Sequence, residues 1–509
     1  MRYSTTRTTT TTSSPVGIQN ENSIAVDRGM GATAGNGAAD RRHYDRGTKA
    51  WLVVLTAFLV QMLIFAVRGT LLEEWTRAGL NENEKYMFDY ARSFMFLVGP
   101  FAAFLIRWIK TMYSMLVSAV LSVAACLIAL HAIDDKSVAV FCGILLGMGL
   151  GIAFICCYAV LLDYFRRYLG VAAVIVTVGC GFGEVLGPLF YKGLPDFYVP
   201  YSHSGAAFSQ AFGNKQVLNA GLLLNLIVAA IVFKPRSNVG LGGFKSSSWG
   251  LFGINILGIA NFVAFLLHLL LMSWGVMMIV LAANYIHTSG TDQVVNTVHK
   301  SADNSTITTA TTVATTTVNG SRTVFFDENG NARNTLNALG FAILAGQLIA
   351  VAFELFVEPV GMYAGATILL GVFQLFMVLG NTREGFLTLA TGAGLMQGFL
   401  QCFFVPTIGH VAGYGSLVSA LGFTGFIQGI GALIGGLILR AVFEGASAGD
   451  GIKPEHMLVL GGCFVFVAGC IMVIVAYKNH RDHPEQLLLD NVAVDERGHL
   501  TRRFFAKAR

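Results

Sequence analysis

The segment Leu336 to Gly361 reads LNALGFAILAGQLIAVAFELFVEPVG, an apolar run of helix length with two carboxylates, Glu354 and Glu358, near one end. At about 1.5 Å rise per residue it is long enough to cross a hydrocarbon core of roughly 30 Å, so it is a transmembrane candidate. An acid inside such a span is costly. Penalties start at roughly 2.5 kcal/mol at the helix centre, and acids there usually face a bundle interior or an aqueous cavity. The i, i+4 spacing puts both Glu on one helical face. Two readings stand: a boundary face with Glu358 and Pro359 already in a loop, or a polar stripe lining a path. The stripe is the functional reading.

The rest of the chain supports a membrane setting. Of 509 residues, 54% are hydrophobic and only 12% charged, with 58 Gly and 38 Phe; the mean hydropathy is +0.62. A soluble protein would carry charges at roughly 25% of positions. The net charge of +5 is spread over short loops and tails, not gathered into a stripe that could grip nucleic acid. All eight Cys lie in apolar runs without metal-ligand spacing and read as small packing residues. No cofactor or metal is called for.

Residues 1–49 are polar, open on a Thr-rich low-complexity tract and contain no apolar core, so a cleaved secretory signal of the usual form is not expected. They read as a disordered cytoplasmic tail. From Ala50 onward, apolar runs recur near 50–69, 86–106, 112–132, 138–162, 170–191, 217–233, 251–286, 336–357, 363–380, 386–409, 416–440 and 456–477. The run 251–286 reads as one long or tilted helix. About twelve helices fall into two six-helix halves, 50–234 and 249–477, around a polar linker at 235–248. This all-α plan is that of a major facilitator carrier.

Lys and Arg set the expected orientation. With the N-terminus inside, the cytoplasmic segments hold Arg41, Arg42, Arg46 and Lys49, then Arg107 and Lys110, Arg166 and Arg167, Lys234, Arg236 and Lys245, and a tail at 478–509 with Lys478 and Arg481. The opposite loops are acidic or mixed, with Glu73, Glu74, Asp134, Asp135, Glu444 and Asp450. Both termini are therefore expected in the cytoplasm and the protein in the plasma membrane. The long external loop, 287–334, carries acceptor sequons for N-glycosylation at Asn304 and Asn319. Gly143 to Gly151, Gly179 to Gly187 and Gly429 to Gly436 present small residues at three- and four-residue spacing, which suits either packing within a half or a moving interface between halves.

Leu161 to Tyr191, LLDYFRRYLGVAAVIVTVGCGFGEVLGPLFY, resembles the monocarboxylate transporter family of the major facilitator superfamily. In that family an aromatic pair and basic residues precede a small-residue run and a Pro-Leu; here these are Tyr164-Phe165-Arg166-Arg167, Gly179 to Gly183, and Pro188-Leu189. Asp45 to Trp51 looks like a degenerate form of the family's D-G-G-W-G-W signature, Gly99-Pro100 matches its second helix, and Asn219 to Pro235 resembles its sixth. The resemblance implies a small-solute carrier. It also implies that the eighth helix carries an Asp, then an anion-binding Arg four residues on, then Pro. Glu354, Glu358 and Pro359 occupy those places, so the anion-binding base has become an acid. Arg68 lies one position from where the family's first-helix Lys would align and is a candidate partner for Glu354 or Glu358.

Three further charges stand in the expected core. Asp89 and Arg92 are three apart and can neutralise each other, while Glu184 has no such neighbour in sequence. The candidate pathway set is therefore Glu354, Glu358, Arg68, Glu184, Asp89 and Arg92. The amides Asn225, Asn255, Asn261, Gln347, Gln374, Gln397, Gln401 and Gln428 read mostly as interhelical hydrogen bonds, some of them able to meet a solute. His268 reads as a packed residue. No phosphate loop and no compact set of soluble catalytic residues is present, so an enzyme is not expected.

The leading expectation is a secondary carrier for a small organic solute. Some members of the resembled family carry riboflavin, a planar and essentially neutral vitamin; loss of the anion-binding Arg, abundant amides and many Phe fit that solute and others like it. Proton coupling and facilitated diffusion are both open. The alternatives are a monocarboxylate or amino acid carrier with Arg68 or Arg92 as anion contact, and a non-transporting membrane receptor of the same fold.

Overall fold

The computed structural model describes residues 47–76, 82–132, 135–165, 168–193, 207–234, 254–276, 331–354, 356–378, 383–446, 454–482, 492–494 and 500–502. Residues 1–46 of the expected N-terminal tail, the linker and the sequons at Asn304 and Asn319 lie outside them, while Thr48 and Lys49 of that tail already belong to the first helix. The first half contains α1 (Thr48–Thr76), α2 (Glu82–Leu97), α3 (Gly99–Ala132), α4 (Lys136–Tyr164), α5 (Leu169–Gly193), α6 (Ala207–Leu223) and α7 (Asn225–Val232). The second opens with a 3₁₀ turn, Ile254–Gly258, and α8 (Ala260–Val276). It continues with α9 (Asn331–Glu354), α10 (Pro359–Met377), α11 (Arg383–Ala412), α12 (Leu417–Ala446) and α13 (Pro454–Asp482). Residues 492–494 and 500–502 pair as a small antiparallel hairpin.

Among the described residues, nine helical stretches are long and apolar enough to cross a membrane, and Ala260–Val276 and Leu339–Glu354 are shorter apolar helices. One of the nine, Gly99–Leu130, joins the end of the second span to the third. Lys110 inside α3 has φ 71° and ψ 160°, which is not helical. Gly143, Gly147 and Gly151 of α4 meet Met87, Ala91 and Met95 in that order, so the chain before Lys110 runs parallel to α4. After it the order reverses: Ser118 donates to Gly149 O and Cys156 of α4 to Thr111 O. Lys110 is therefore the reversal between the second and third spans. Counting α6 with α7 as one, the arrangement has about twelve crossing segments.

The halves repeat one packing plan. The second span packs on the fourth, the third on the fourth and the third on the sixth; in the other half α9 packs on α11, α10 on α11 and α10 on α13. The halves meet where α5 packs on α9 and α11, and where α12 packs on α2 and α3. Glycines separate the two kinds of contact. Gly143, Gly147 and Gly151 sit on α2, and Gly179, Gly183 and Gly187 sit on α1, both within the first half. Gly422, Gly425 and Gly429 of α12 lie against Gly99, Phe96 and Leu97 across the halves.

Two fragments that carry the family resemblance come together. Trp51, one turn into α1, stacks edge-on against Phe165 at 5.6 Å, and the Tyr164 hydroxyl donates to Lys234 O at 2.9 Å. They fasten the ends of the first, fourth and sixth spans at one end of the bundle.

Several expected boundaries move. The stretch 251–286 is not one helix: a 3₁₀ turn precedes α8 and Ile259 separates them, while 277–286 lies outside the described residues. The helix of the sixth span starts at Ala207, and its apolar part, Lys215–Val232, matches the expected 217–233 closely. Most consequential, α9 ends at Glu354 and Pro359 opens α10. Glu358 is the residue before that helix, with extended backbone (φ −68°, ψ 127°). Proline lacks an N–H, suits the first helical position and biases the residue before it away from helix. Glu354 and Glu358 therefore do not share a helical face.

Candidate functional site

The expected site residues separate into two levels. At mid-depth, Arg68 of α1 faces Glu184 of α5, with Nη1 to Oε1 at 3.8 Å and side chains 25% and 20% exposed. The Arg68 guanidinium also lies over the rings of Phe65 (5.0 Å) and Phe96 (5.7 Å). Arg92 of α2 is half-buried within electrostatic reach of Arg68, Asp89 and Glu184. Four of the six candidates thus form one charged group of alternating sign in the first half. This corrects the expected pairing of Arg68 with Glu354 or Glu358: its ion pair is with Glu184, an acid far away in sequence.

Glu354 lies at the other level. A Cβ on Gly170, near the start of α5, would run into its carboxylate oxygen. Gly170 and Gly181 are separated by roughly 16 Å of helix at 1.5 Å per residue, which puts Glu354 towards the end of the bundle where α5 begins. Glu358 lies beyond it, in the α9–α10 connection.

The second half presents amides instead of charges. Gln347 of α9 is buried and donates through Nε2 to Gln401 Oε1 of α11 at 2.5 Å. Its backbone oxygen accepts from Cys402 Sγ at 3.7 Å. Its own Oε1 has no hydrogen-bond partner and lies against Gly181, the midpoint of α5. Glu184 is three residues along from Gly181, so the amides and the ion pair are about one turn apart, on the same side of α5. Gln397, one turn before Gln401, also carries a buried carbonyl oxygen without a partner.

A polar and aromatic floor joins the two sets. Gln61 Nε2 donates to Phe154 O at 3.3 Å, and Cys180 Sγ donates to Gln61 Oε1 at 3.6 Å. Tyr158 and Thr177 share a hydroxyl hydrogen bond of 2.9 Å. Phe154 contacts Phe65 and Phe96 at 6.2 Å and Tyr158 at 5.3 Å between ring centroids. The arrangement offers ring faces and edges, amide donors and acceptors and one neutralised cation. Among the described residues no group of His, Cys, Asp and Glu could hold a metal ion.

Sequence reading named the charged members but not Gln61 or Tyr158, took Cys180 only as a packing residue, and did not single out Gln347 and Gln401 among the amides. The i, i+4 spacing of Gln397 and Gln401 in an apolar run was the available signal. Other core polar groups are structural. His268 bonds Ala468 O at 2.9 Å and Tyr363 at 3.3 Å, and Gln374 donates to Gly275 O; Asn225, which is exposed, donates to Leu222 O.

No protein-family model matches the chain. It is similar to Monocarboxylate transporter 14 of Mus musculus, 24% identical over 199 residues, 38% of this chain and 36% of that protein. The Homo sapiens protein of that name is 23% identical over the same shares. The matched part thus spans 36% of the length of these curated relatives. Among solved structures, the major facilitator superfamily transporter FucP in the outward conformation aligns with TM-score 0.56 and 13% identity over 82% of this chain and 98% of that one. A variant of the E.coli Fucose:proton symporter FucP aligns with TM-score 0.58 and 12% identity over 84% and 98%. The chain therefore has the fold of a major facilitator superfamily transporter, and part of it is similar in sequence to monocarboxylate transporters.

Proposed function

We propose that the protein is a secondary transporter that moves a small, essentially neutral organic solute between its two halves, with riboflavin as the solute that fits best. The observation that carries this is the Arg68–Glu184 pair set beside the Gln347–Gln401 amides at the middle of α5. A carrier of organic anions needs a cation with charge to spare. Arg68 is already balanced by Glu184 and held between two rings, so an entering carboxylate would have to break an existing pair. A flat, hydroxylated, uncharged solute needs no such exchange. Phe96 and Phe154, both partly exposed, offer rings to it, and the amides supply hydrogen bonds.

We place the protein in the plasma membrane, and the distribution of Lys and Arg supports both tails in the cytoplasm. The second reading is a monocarboxylate or amino acid carrier with Arg68 or Arg92 as the anion contact, favoured by the sequence similarity to monocarboxylate transporters.

Uptake of labelled riboflavin, pyruvate, lactate and amino acids by transport-deficient cells expressing the chain tests the proposal. Saturable accumulation of riboflavin alone is the expected result. Accumulation of lactate or an amino acid instead favours the second reading, and accumulation of none of them favours a receptor.

A further inference from the structure

We propose that Gln347 tunes the opening of the contact between the two halves, because its side-chain oxygen is left without a hydrogen bond whenever that contact is closed. The inference rests on the reading that the halves part during transport, and it concerns a residue whose role does not depend on which solute is carried.

The contact is made by α5 of one half and α9 of the other, running antiparallel: Gly170 meets Glu354, Gly181 meets Gln347 and Val185 meets Gly340. Along α9, Gln347, Ala350 and Glu354 recur at three- and four-residue spacing and so share the face turned to α5. At the middle of this face Gln347 Oε1 sits against the backbone of Gly181, where there is no side chain to donate to it. Its Nε2 is committed to Gln401 on its own half. A buried acceptor without a partner is disfavoured relative to one in water. Separation of α5 from α9 admits water to that oxygen and removes the penalty. The closed contact therefore carries a built-in bias towards opening, and Gly181 keeps the bias small by letting the helices approach. A methyl group at 181 would press on the same oxygen and add to it.

Two native thiols report the contact without solute. Cys180, next to Gly181, and Cys402, bonded to Gln347 O, are buried, on opposite halves, and within electrostatic reach of each other. Cys126 and Cys142, buried inside the first half, serve as controls for unfolding. The full chain, in sealed vesicles exposing the face where α1 begins, is treated with a membrane-impermeant maleimide, and labelling of each cysteine is quantified by peptide mass spectrometry. Gln347→Met keeps length and removes the unpaired oxygen; the half-exposed Gln401 is free to turn to water. It should slow labelling of Cys180 and Cys402 about fivefold or more, whereas Gly181→Ala should speed it by a similar factor. Cys126 and Cys142 should stay unlabelled in both. Rates within twofold of wild type in both variants, or a faster rate in Gln347→Met, overturn the proposal for Gln347 while leaving transport by parting halves intact. Absence of labelling in the wild type and in Gly181→Ala overturns it together with the parting of the halves. Riboflavin uptake does not enter the readout, so failure of the solute assignment is distinguishable from either.

Discussion

At the scale of single residues, the choice of solute turns on which acid answers Arg68. Glu184 does so at 3.8 Å, and both side chains are partly exposed. Removing one partner of a fully buried pair costs roughly 3–5 kcal/mol, and partial exposure reduces that, so a tenfold or larger loss of transport rate is a reasonable scale for a single reversal. We predict that Glu184→Arg and Arg68→Glu each reduce uptake by about tenfold or more and that the double reversal recovers part of it, measured as initial rates normalised to surface protein. Equal loss in the single and double variants would show that the pair is not the unit that matters. Glu358 is expected to behave differently. It precedes α10 and offers at most a helix-dipole contribution of about 0.3–1 kcal/mol, so Glu358→Gln should leave uptake within about fivefold of wild type. A tenfold fall would return Glu358 to the transport path.

At the scale of helices, much was legible in the sequence, because apolar length and hydropathy decide where a chain can cross a bilayer. The runs near 112–132 and 138–162 reappear as the last part of α3 and as α4. Breaks were harder to read. Pro359 announced one, and the shared face for Glu354 and Glu358 failed because a helix-starting proline stands directly after Glu358. The reversal at Lys110 has no proline or glycine beside it and shows only in how the flanking helices pack on α4. Glycine rows looked alike in sequence, and only packing separates them. Gly147 closes α4 on α2 within a half, whereas Gly422 meets Gly99 between halves. Gly147→Ala is therefore expected to lower the amount of folded protein at the membrane, while Gly422→Ala should leave that amount near wild type and change the transport rate; surface labelling beside uptake separates the two. Equal surface loss in both variants would contradict the assignment of Gly422 to a mobile interface.

At the scale of the whole molecule, an even number of crossings, as in the about twelve segments among the described residues, would return the chain to the side from which it started. Tags at residue 1 and residue 509 should both be reached by antibody only after cells are permeabilised. Detection of either tag on intact cells would contradict the orientation inferred from Lys and Arg. The number of apolar runs was legible in the sequence, but the site was not. Arg68 meets Glu184, and Gln347 meets Gln401 and Gly181, only through the packing of helices far apart in sequence, which no spacing rule encodes. The resulting balance of charge, with the cation already paired and amides opposite, is the reason for assigning a neutral solute. The most direct test of that claim is uptake of labelled riboflavin by cells expressing the chain, measured with and without a large excess of lactate. Saturable uptake unaffected by lactate is the predicted result; no uptake above control cells, or uptake abolished by lactate, would contradict it.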